Sequence, residues 1–171
     1  METVISALIV MGVLVLTILG LAQYSLSAQA QITDASRMMQ ERLGERARTN
    51  LQAVSGVTDV TGAYAFITLK NNGSTKLADF TQWDVIVQHV ASGATYVRWY
   101  PYSMGTSQWS KTIYASVAPN VAEVIEPGIL NPGEYIILTI GALTPAISVG
   151  TTNLATISTP NGIVATTVFT R

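Results

Sequence analysis

The side chains that could perform acid–base or metal chemistry are few. The chain of 171 residues contains one histidine and no cysteine. This excludes disulfide scaffolds, thiolate zinc sites, iron–sulfur clusters and metal sites that need two imidazoles. The histidine, His89, shares a predicted strand face with Trp83 and Val87, so we expect it to be structural. Because no Gly-x-Ser-x-Gly elbow or glycine-rich phosphate loop occurs either, we predict no catalytic activity, no cofactor and no metal.

Three carboxylates, Glu123, Glu126 and Glu134, flank two prolines in a predicted loop. Carboxylates and backbone carbonyls together can bind calcium, but the spacing of an EF-hand loop is missing. We therefore expect solvated loop charges. The formal net charge is -1 and 11% of residues are charged, so the chain has no basic field with which to hold nucleic acid.

The sequence Asn72-Gly73-Ser74 matches the N-glycosylation sequon. It coincides with a predicted hairpin turn, and turn chemistry alone explains these residue types. On an extracellular protein, Asn72 would be a candidate glycosylation site.

Tryptophan and tyrosine concentrate between residues 83 and 114. Large aromatic side chains dominate cores and interfaces, so we expect core or inter-subunit packing, with a carbohydrate- or surface-binding patch as the alternative. The residues concerned are Trp83, Tyr96, Trp99, Tyr100, Tyr102, Trp109 and Tyr114.

Residues 4–22 (VISALIVMGVLVLTILGLA) form the most apolar part of the chain. As a helix, this segment would be roughly 28 Å long, which matches the hydrocarbon thickness of a bilayer. Its apolar residues fall on every side of the helical wheel, which excludes a soluble monomer while the segment is attached. We predict that these helices assemble through the side chains of Val4, Ile5, Leu8, Ile9, Met11, Val13, Leu14, Val15, Leu16, Ile18, Leu19 and Leu21.

Three interpretations of this segment compete. A cleaved signal peptide would fit Ala28-Gln29-Ala30, but a basic n-region is missing and the apolar run is too long. For a single-pass anchor, the positive-inside rule would place the C-terminal part in the cytoplasm, because Arg37, Arg42 and further arginines follow the segment while none precedes it. This conflicts with the C-terminal part itself, whose pattern is that of a cell-surface β domain. The third interpretation is a pilin-like filament subunit that has lost a basic leader.

The helical pattern continues beyond the apolar segment, with an apolar stripe at spacings of three or four that reaches Leu51 and Val54. Because no proline interrupts residues 1–55, the sequence predicts one helix of about 80 Å. Charged residues at i,i+3 and i,i+4 separations suggest a solvated helix face that carries several ion pairs. The alternative is that some of them make polar contacts between subunits, and the candidates are Glu2, Arg37, Glu41, Arg42 and Glu45.

After Ser55-Gly56 the period changes to that of strands rich in β-branched and aromatic residues. Turn sequences such as Asn131-Pro132-Gly133 separate them. We predict an α+β fold, in which a long hydrophobic helix (1–56) precedes an antiparallel immunoglobulin-like β-sandwich (57–171). The predicted strands are 62–70, 83–90, 95–100, 110–117, 134–140, 154–158 and 163–169.

The N-terminal METVISALIVMGVLVLTILGLAQYSLSAQAQI, followed by a β domain with FITLKNNGSTKL and LNPGEYIILTI, resembles the archaellin (archaeal flagellin) and type IV pilin-like superfamily over the whole chain. Bacterial type IV pilins usually place a glutamate where this chain has Ile5, and Glu2 is the only acid nearby. The resemblance therefore favours archaellins and their accessory subunits.

The resemblance implies an extracellular homopolymeric filament for motility, or for adhesion, made from a membrane-inserted precursor. It also implies a prepilin-type peptidase that removes a leader before Met1, and an assembly ATPase as further partner. The alternative is an accessory, membrane-anchored β-sandwich protein of the filament base or cell envelope.

Overall fold

The computed structural model describes residues 2–117 and 120–171. Within these ranges the chain forms one long α-helix followed by nine strands, with a short 3-10 helix (Phe80–Gln82) between the second and third strands. It divides into two compact units, Met1–Leu43 and Gly44–Arg171. The elements are α1 (Glu2–Arg48), β1 (Leu51–Thr58), β2 (Ala65–Asn71), β3 (Asp84–Ala91), β4 (Ala94–Tyr100), β5 (Trp109–Val117), β6 (Asn120–Ala122), β7 (Tyr135–Ile140), β8 (Thr152–Ser158) and β9 (Val164–Thr170).

Helix α1 has 47 residues and is therefore about 70 Å long. Two of its threonines bond within the helix, since the hydroxyl of Thr17 donates to the Leu14 carbonyl and that of Thr33 to the Gln29 carbonyl. These two hydroxyls are thus compatible with an apolar environment, because neither needs water as its acceptor.

The prediction that the helix continues through residue 56 is wrong, because α1 ends at Arg48 and residues from Leu51 onward form β1. After Arg48, backbone groups of the turn that follows β2 replace the hydrogen bonds of the helix. The Ser74 N–H donates to the Arg48 carbonyl and the Asn72 N–H to the Asn50 carbonyl, both at 2.8 Å. Leu51 lies in the core and is 5% exposed. A further helical turn would lose the stabilisation that this burial provides.

The strands form two sheets, ordered β1-β2-β7-β5-β6 and β4-β3-β8-β9 across the described residues, and neighbouring strands are antiparallel. In the immunoglobulin fold one sheet holds strands A, B, E and D and the other holds C, F and G, with C′ added beside C in variable domains. Strands β1, β2, β7 and β5 occupy the first set of places, and β4, β3, β8 and β9 the second. The predicted antiparallel immunoglobulin-like sandwich is confirmed.

One hydrophobic core joins the two sheets. Ile67 and Leu138 of the larger sheet and Val87 and Ile157 of the smaller one are fully buried in it. The buried indoles of Trp83 and Trp109 lie with their ring centroids 6.5 Å apart. Inward positions alternate with outward ones along β3 and β8, which is the pattern from which the strands were predicted.

Candidate assembly surface

The apolar side chains of the first half of α1 are exposed on the single chain. The twelve predicted to mediate assembly, from Val4 to Leu21, have exposed fractions of 52–70%, and Val10, which belongs with them, is 58% exposed. These side chains bury little surface within the chain, so their environment must come from outside it.

The exposed apolar surface surrounds the helix. Leu14, Val15 and Leu16 are consecutive and are 55%, 52% and 70% exposed. Consecutive helical residues point about 100° apart, so these three alone cover most of the circumference. Among the described residues, this is the one helix long and apolar enough to cross a membrane by its length and composition.

Four of the five charged residues of α1 that were predicted to contact other subunits lie on its second half. Arg37 and Glu41 pair with each other, with 3.2 Å between Arg37 Nε and Glu41 Oε1, and both side chains are exposed. Arg42 and Glu45 are also exposed. The side chain of Glu2 lies outside the part of the chain that the structure describes.

The candidate glycosylation site lies in the turn that follows β2. Asn72 is exposed, and its backbone is held by the bond to Asn50. The next position must be glycine, because a Cβ on Gly73 would lie 2.5 Å from the Arg48 carbonyl oxygen and 2.5 Å from the Asn50 nitrogen. Turn geometry thus explains Gly73, while the exposed Asn72 amide is open to modification.

His89 lies in the core, as its strand face predicts. Its ring is fully buried, stacks on Tyr96 at 5.6 Å between centroids, and has Nε2 3.0 Å from the Pro145 carbonyl oxygen. Nδ1 has no hydrogen-bond partner among the described residues. Burial lowers the pKa of His89, repulsion from Arg98 lowers it further, and the Pro145 carbonyl acts in the opposite direction. The ring is therefore neutral, with the proton on Nε2 facing the carbonyl.

The three loop carboxylates organise their own loop. Glu123 Oε1 accepts the Ile125 N–H at 2.7 Å and the Glu126 N–H at 3.1 Å, and Glu126 forms a 2.8 Å ion pair with Lys76. The backbone bond from Glu126 is the main reason that the pKa of Glu123 is lowered, whereas burial raises the pKa of Glu134. Nowhere in the described ranges do three His, Cys, Asp or Glu side chains come together as a metal site would require.

A shallow cavity of about 250 Å³ lies beside β5 and β7. Tyr64, Met104 and Gln108 are among its lining residues, and the remaining lining residues are serine, threonine and glycine. This lining contains no carboxylate, imidazole or ammonium group that could act as a general acid or base near neutral pH.

The aromatic residues divide between the core and the surface. Trp83, Tyr100 and Trp109 are buried, and Tyr102 packs edge-on against Trp109 at 4.8 Å. Trp99 faces outward and is 56% exposed. The predicted core role therefore holds for most of the cluster and leaves Trp99 as an aromatic surface residue.

Neither a family model nor a curated protein matches the sequence. Solved structures do match. The archaellum periplasmic stator protein FlaG from Sulfolobus acidocaldarius is 22% identical, with 71% of this chain and 99% of FlaG covered and a TM-score of 0.49. The FlaF–FlaG stator complex of the same organism matches at 22% identity over 70% of this chain and 87% of that chain, with a TM-score of 0.48.

The archaeal flagellum of Methanospirillum hungatei strain JF1 matches over nearly the full length. It covers 97% of this chain and 92% of its own chain, with a TM-score of 0.64 at 16% identity. At this identity the likeness concerns the fold. The long N-terminal helix followed by two antiparallel sheets is therefore an archaellin-like fold.

Proposed function

We propose that this chain is the structural subunit of a helical, archaellum-type extracellular filament, which polymerises by bundling the N-terminal helices of identical copies. The observation that carries the proposal is the ring of apolar side chains between Val4 and Leu21, each more than half exposed on the single chain. Burying such a side chain contributes about 1.5–3 kcal/mol, so the set must be sheltered either by lipid or by other helices.

A bundle of identical helices is the shelter that best fits this surface. A helix that is apolar on all sides can exchange lipid for like helices at little hydrophobic cost, so a membrane-inserted precursor can supply the polymer. Head-to-tail contacts that do not close into a ring produce open helical filaments. The apolar segment contains no Gly-x-x-x-Gly pair, the motif of a dedicated two-helix membrane dimer.

The fold supports the same function. A chain of the archaeal flagellum of Methanospirillum hungatei has a similar fold over 97% of the present chain. A filament of this kind serves motility, with adhesion as the alternative use. It requires a prepilin-type peptidase and an assembly ATPase as partners, and places the mature protein on the cell surface. A structural role without enzymatic activity is also consistent with the buried His89 and with the loop carboxylates, whose hydrogen bonds and ion pair hold their own loop.

A charge placed in the apolar segment tests the proposal. Leu14→Asp costs about 3–4 kcal/mol per copy at the centre of an apolar bundle or bilayer. We expect it to abolish filaments, whereas Gln40→Asp, an exposed position beyond the apolar segment, leaves them intact. The yield of sheared filaments is measured by electron microscopy, and fractionation shows whether the variant still reaches the membrane.

The milder Leu14→Ala/Leu16→Ala variant keeps the segment apolar enough to insert but removes packing volume, and we expect it to reduce the filament yield. Filaments of normal yield from Leu14→Asp would contradict the proposal. If wild-type chains are found only as solitary molecules in the membrane, the accessory, membrane-anchored role takes its place.

A further inference from the structure

The outward face of the four-stranded sheet carries a continuous apolar patch. The strand register places Trp99 beside Ile86 and Leu154 beside Val168. Ile86 and Leu154 lie on neighbouring strands one row apart, which joins the two pairs into a diagonal stripe. We call this stripe, together with Val97 two residues from Trp99 and with Val164, which Thr166 separates from Val168, the outer apolar face. It comprises Ile86, Val97, Trp99, Leu154, Val164 and Val168.

This face is well exposed on the single chain. Val97, Trp99, Val164 and Val168 are 56–64% exposed, Ile86 is 40% exposed and Leu154 is half-buried. Single exposed apolar residues are ordinary on protein surfaces, but a contiguous group across four strands marks a contact site. Aromatic residues such as Trp99 are enriched at the centres of interfaces.

The outer apolar face can be dehydrated at low cost because it carries almost no charge. Asp84 is the one ionisable residue in the register rows that contain the face. Its carboxylate already accepts a hydrogen bond from the Trp99 indole at 2.9 Å. The other side chains between the apolar ones are neutral, namely Gln88, Thr156, Ser158 and Thr166. An uncharged surface of another copy can therefore approach this face without like-charge repulsion.

The size of the face indicates what kind of partner covers it. The whole outward side of the sheet, four strands of about seven residues, spans roughly 300–450 Å², and the outer apolar face is part of it. A stable free complex buries about 800 Å² on each partner, so this face alone is too small to hold a soluble partner. A contact of this size becomes effective when a second interaction already holds the partner nearby, at an effective concentration in the millimolar range.

We infer that the outer apolar face binds the sandwich of a second copy of this chain within the polymer, and that this contact stabilises the outer layer of the filament. The inference rests on the proposed function, because the bundled helices supply the proximity that the small face requires. It adds a specific sheet contact between the outer domains, which a helix bundle by itself does not need.

The absence of cysteine from the chain allows a direct test, since any thiol introduced is the only one present. We would prepare the full chain with Val97→Cys or Val168→Cys on the face. Val60→Cys is the matched control, because Val60 is 93% exposed in the turn that precedes β2. The labelling rate with a water-soluble maleimide is then compared between intact filaments and chains dissolved in detergent.

We expect the three thiols to react at similar rates in detergent. In filaments, the Val97→Cys and Val168→Cys thiols should react at least about tenfold more slowly than in detergent, as expected for the dehydrated centre of an interface. The Val60→Cys thiol should keep its rate. As a second readout, Val97→Lys should destabilise filaments towards heating and Val60→Lys should not.

Unchanged labelling of both face thiols in well-formed filaments would overturn the inference and leave the proposed function standing. Equal protection of all three thiols would also overturn it, because the protection would not be specific to the face. Protection in membranes that hold no filaments would mean that another partner covers the face. A wild-type chain that never forms filaments would overturn both proposals.

Discussion

At the scale of single residues, His89 illustrates how the core restricts a titratable group. The ring is neutral and buried, and its environment lowers the pKa below the ordinary value of 6.5. The native state therefore resists a proton that the unfolded chain takes up readily. By linkage, the contribution of His89 to the free energy of unfolding is present at high pH and is lost as the pH falls below 6.5.

We predict that His89→Gln makes stability less dependent on pH between about pH 5 and 7, where an imidazole titrates. Glutamine can still donate a hydrogen bond towards the Pro145 carbonyl but takes up no proton. Denaturant unfolding of the detergent-dissolved full chain, wild type and variant, gives the two pH profiles. Wild type and variant share the pH dependence that comes from carboxylates, so the difference between the two stability profiles reports the titration of His89. Parallel profiles would contradict the assignment.

The sequon at Asn72 gives a second test at this scale. On an extracellular protein with an exposed Asn72 amide, we propose that this residue carries an N-linked glycan. Peptide mass spectrometry of protein from its natural source should show the added mass on the peptide containing Asn72. Ser74→Ala removes the sequon and keeps the asparagine, so the added mass should disappear. Only unmodified peptide from the natural protein would refute the site.

At the scale of elements, the boundary between α1 and β1 shows where periodicity fails. Leu51 and Val54 are three residues apart, which continues the helical pattern. In the structure a β-bulge between Ala53 and Ser55 shifts the pairing with β2, so the alternation of a regular strand is broken. Leu51 is buried and Val54 is half exposed, so the spacing of these two residues does not mark one apolar face.

Other parts of the fold could be read from local sequence. The seven predicted strands correspond to β2 to β5 and β7 to β9, because their apolar residues alternate and glycine-containing turns bound them. The Ser92-Gly93 turn between β3 and β4 has both residues at positive φ, 50° and 77°, as a tight hairpin requires. Strand β6 has only three residues, too few to establish a period.

Part of the candidate assembly surface could also be predicted from sequence, and part could not. The exposed apolar residues of α1 could be predicted, because composition alone excludes a polar face. The Arg37–Glu41 pair follows from i,i+4 spacing. The outer apolar face could not be predicted, because its members come from four strands whose order and register depend on long-range pairing.

The burial of Leu51 and Val54 leads to a prediction that distinguishes a helix from a strand at these residues. In a helix, Leu51 and Val54 would lie on one face and respond alike to truncation. In the structure Leu51 is 5% exposed and Val54 is 50% exposed. Leu51→Ala should therefore reduce the free energy of unfolding by about 2–5 kcal/mol. Val54→Ala should change it by less than about 1 kcal/mol.

Equilibrium unfolding in denaturant, with the chain dissolved in detergent, measures both variants. The Val54→Ala variant serves as the matched control, since it also truncates an apolar side chain in β1. Equal losses for the two variants would indicate that residues 51–54 do not form the strand described here.

At the scale of the whole molecule, the chain combines two units that need different surroundings. Gly44–Arg171 buries its own core between two sheets, whereas the helix that precedes it exposes nearly all of its apolar side chains. The sandwich unit can be stable in water, and the apolar helix requires lipid or other helices. A polymer with the helices on its axis and the sandwiches in solvent satisfies both requirements.

Electron cryomicroscopy of fibres sheared from the source cells, with the chain identified in them by mass spectrometry, tests this account most directly. We predict an axial bundle of helices in which the side chains between Val4 and Leu21 pack only against those of other copies, surrounded by a layer of sandwiches. Fibres that lack this chain, or a chain in them that lacks its first thirty residues, would contradict the account.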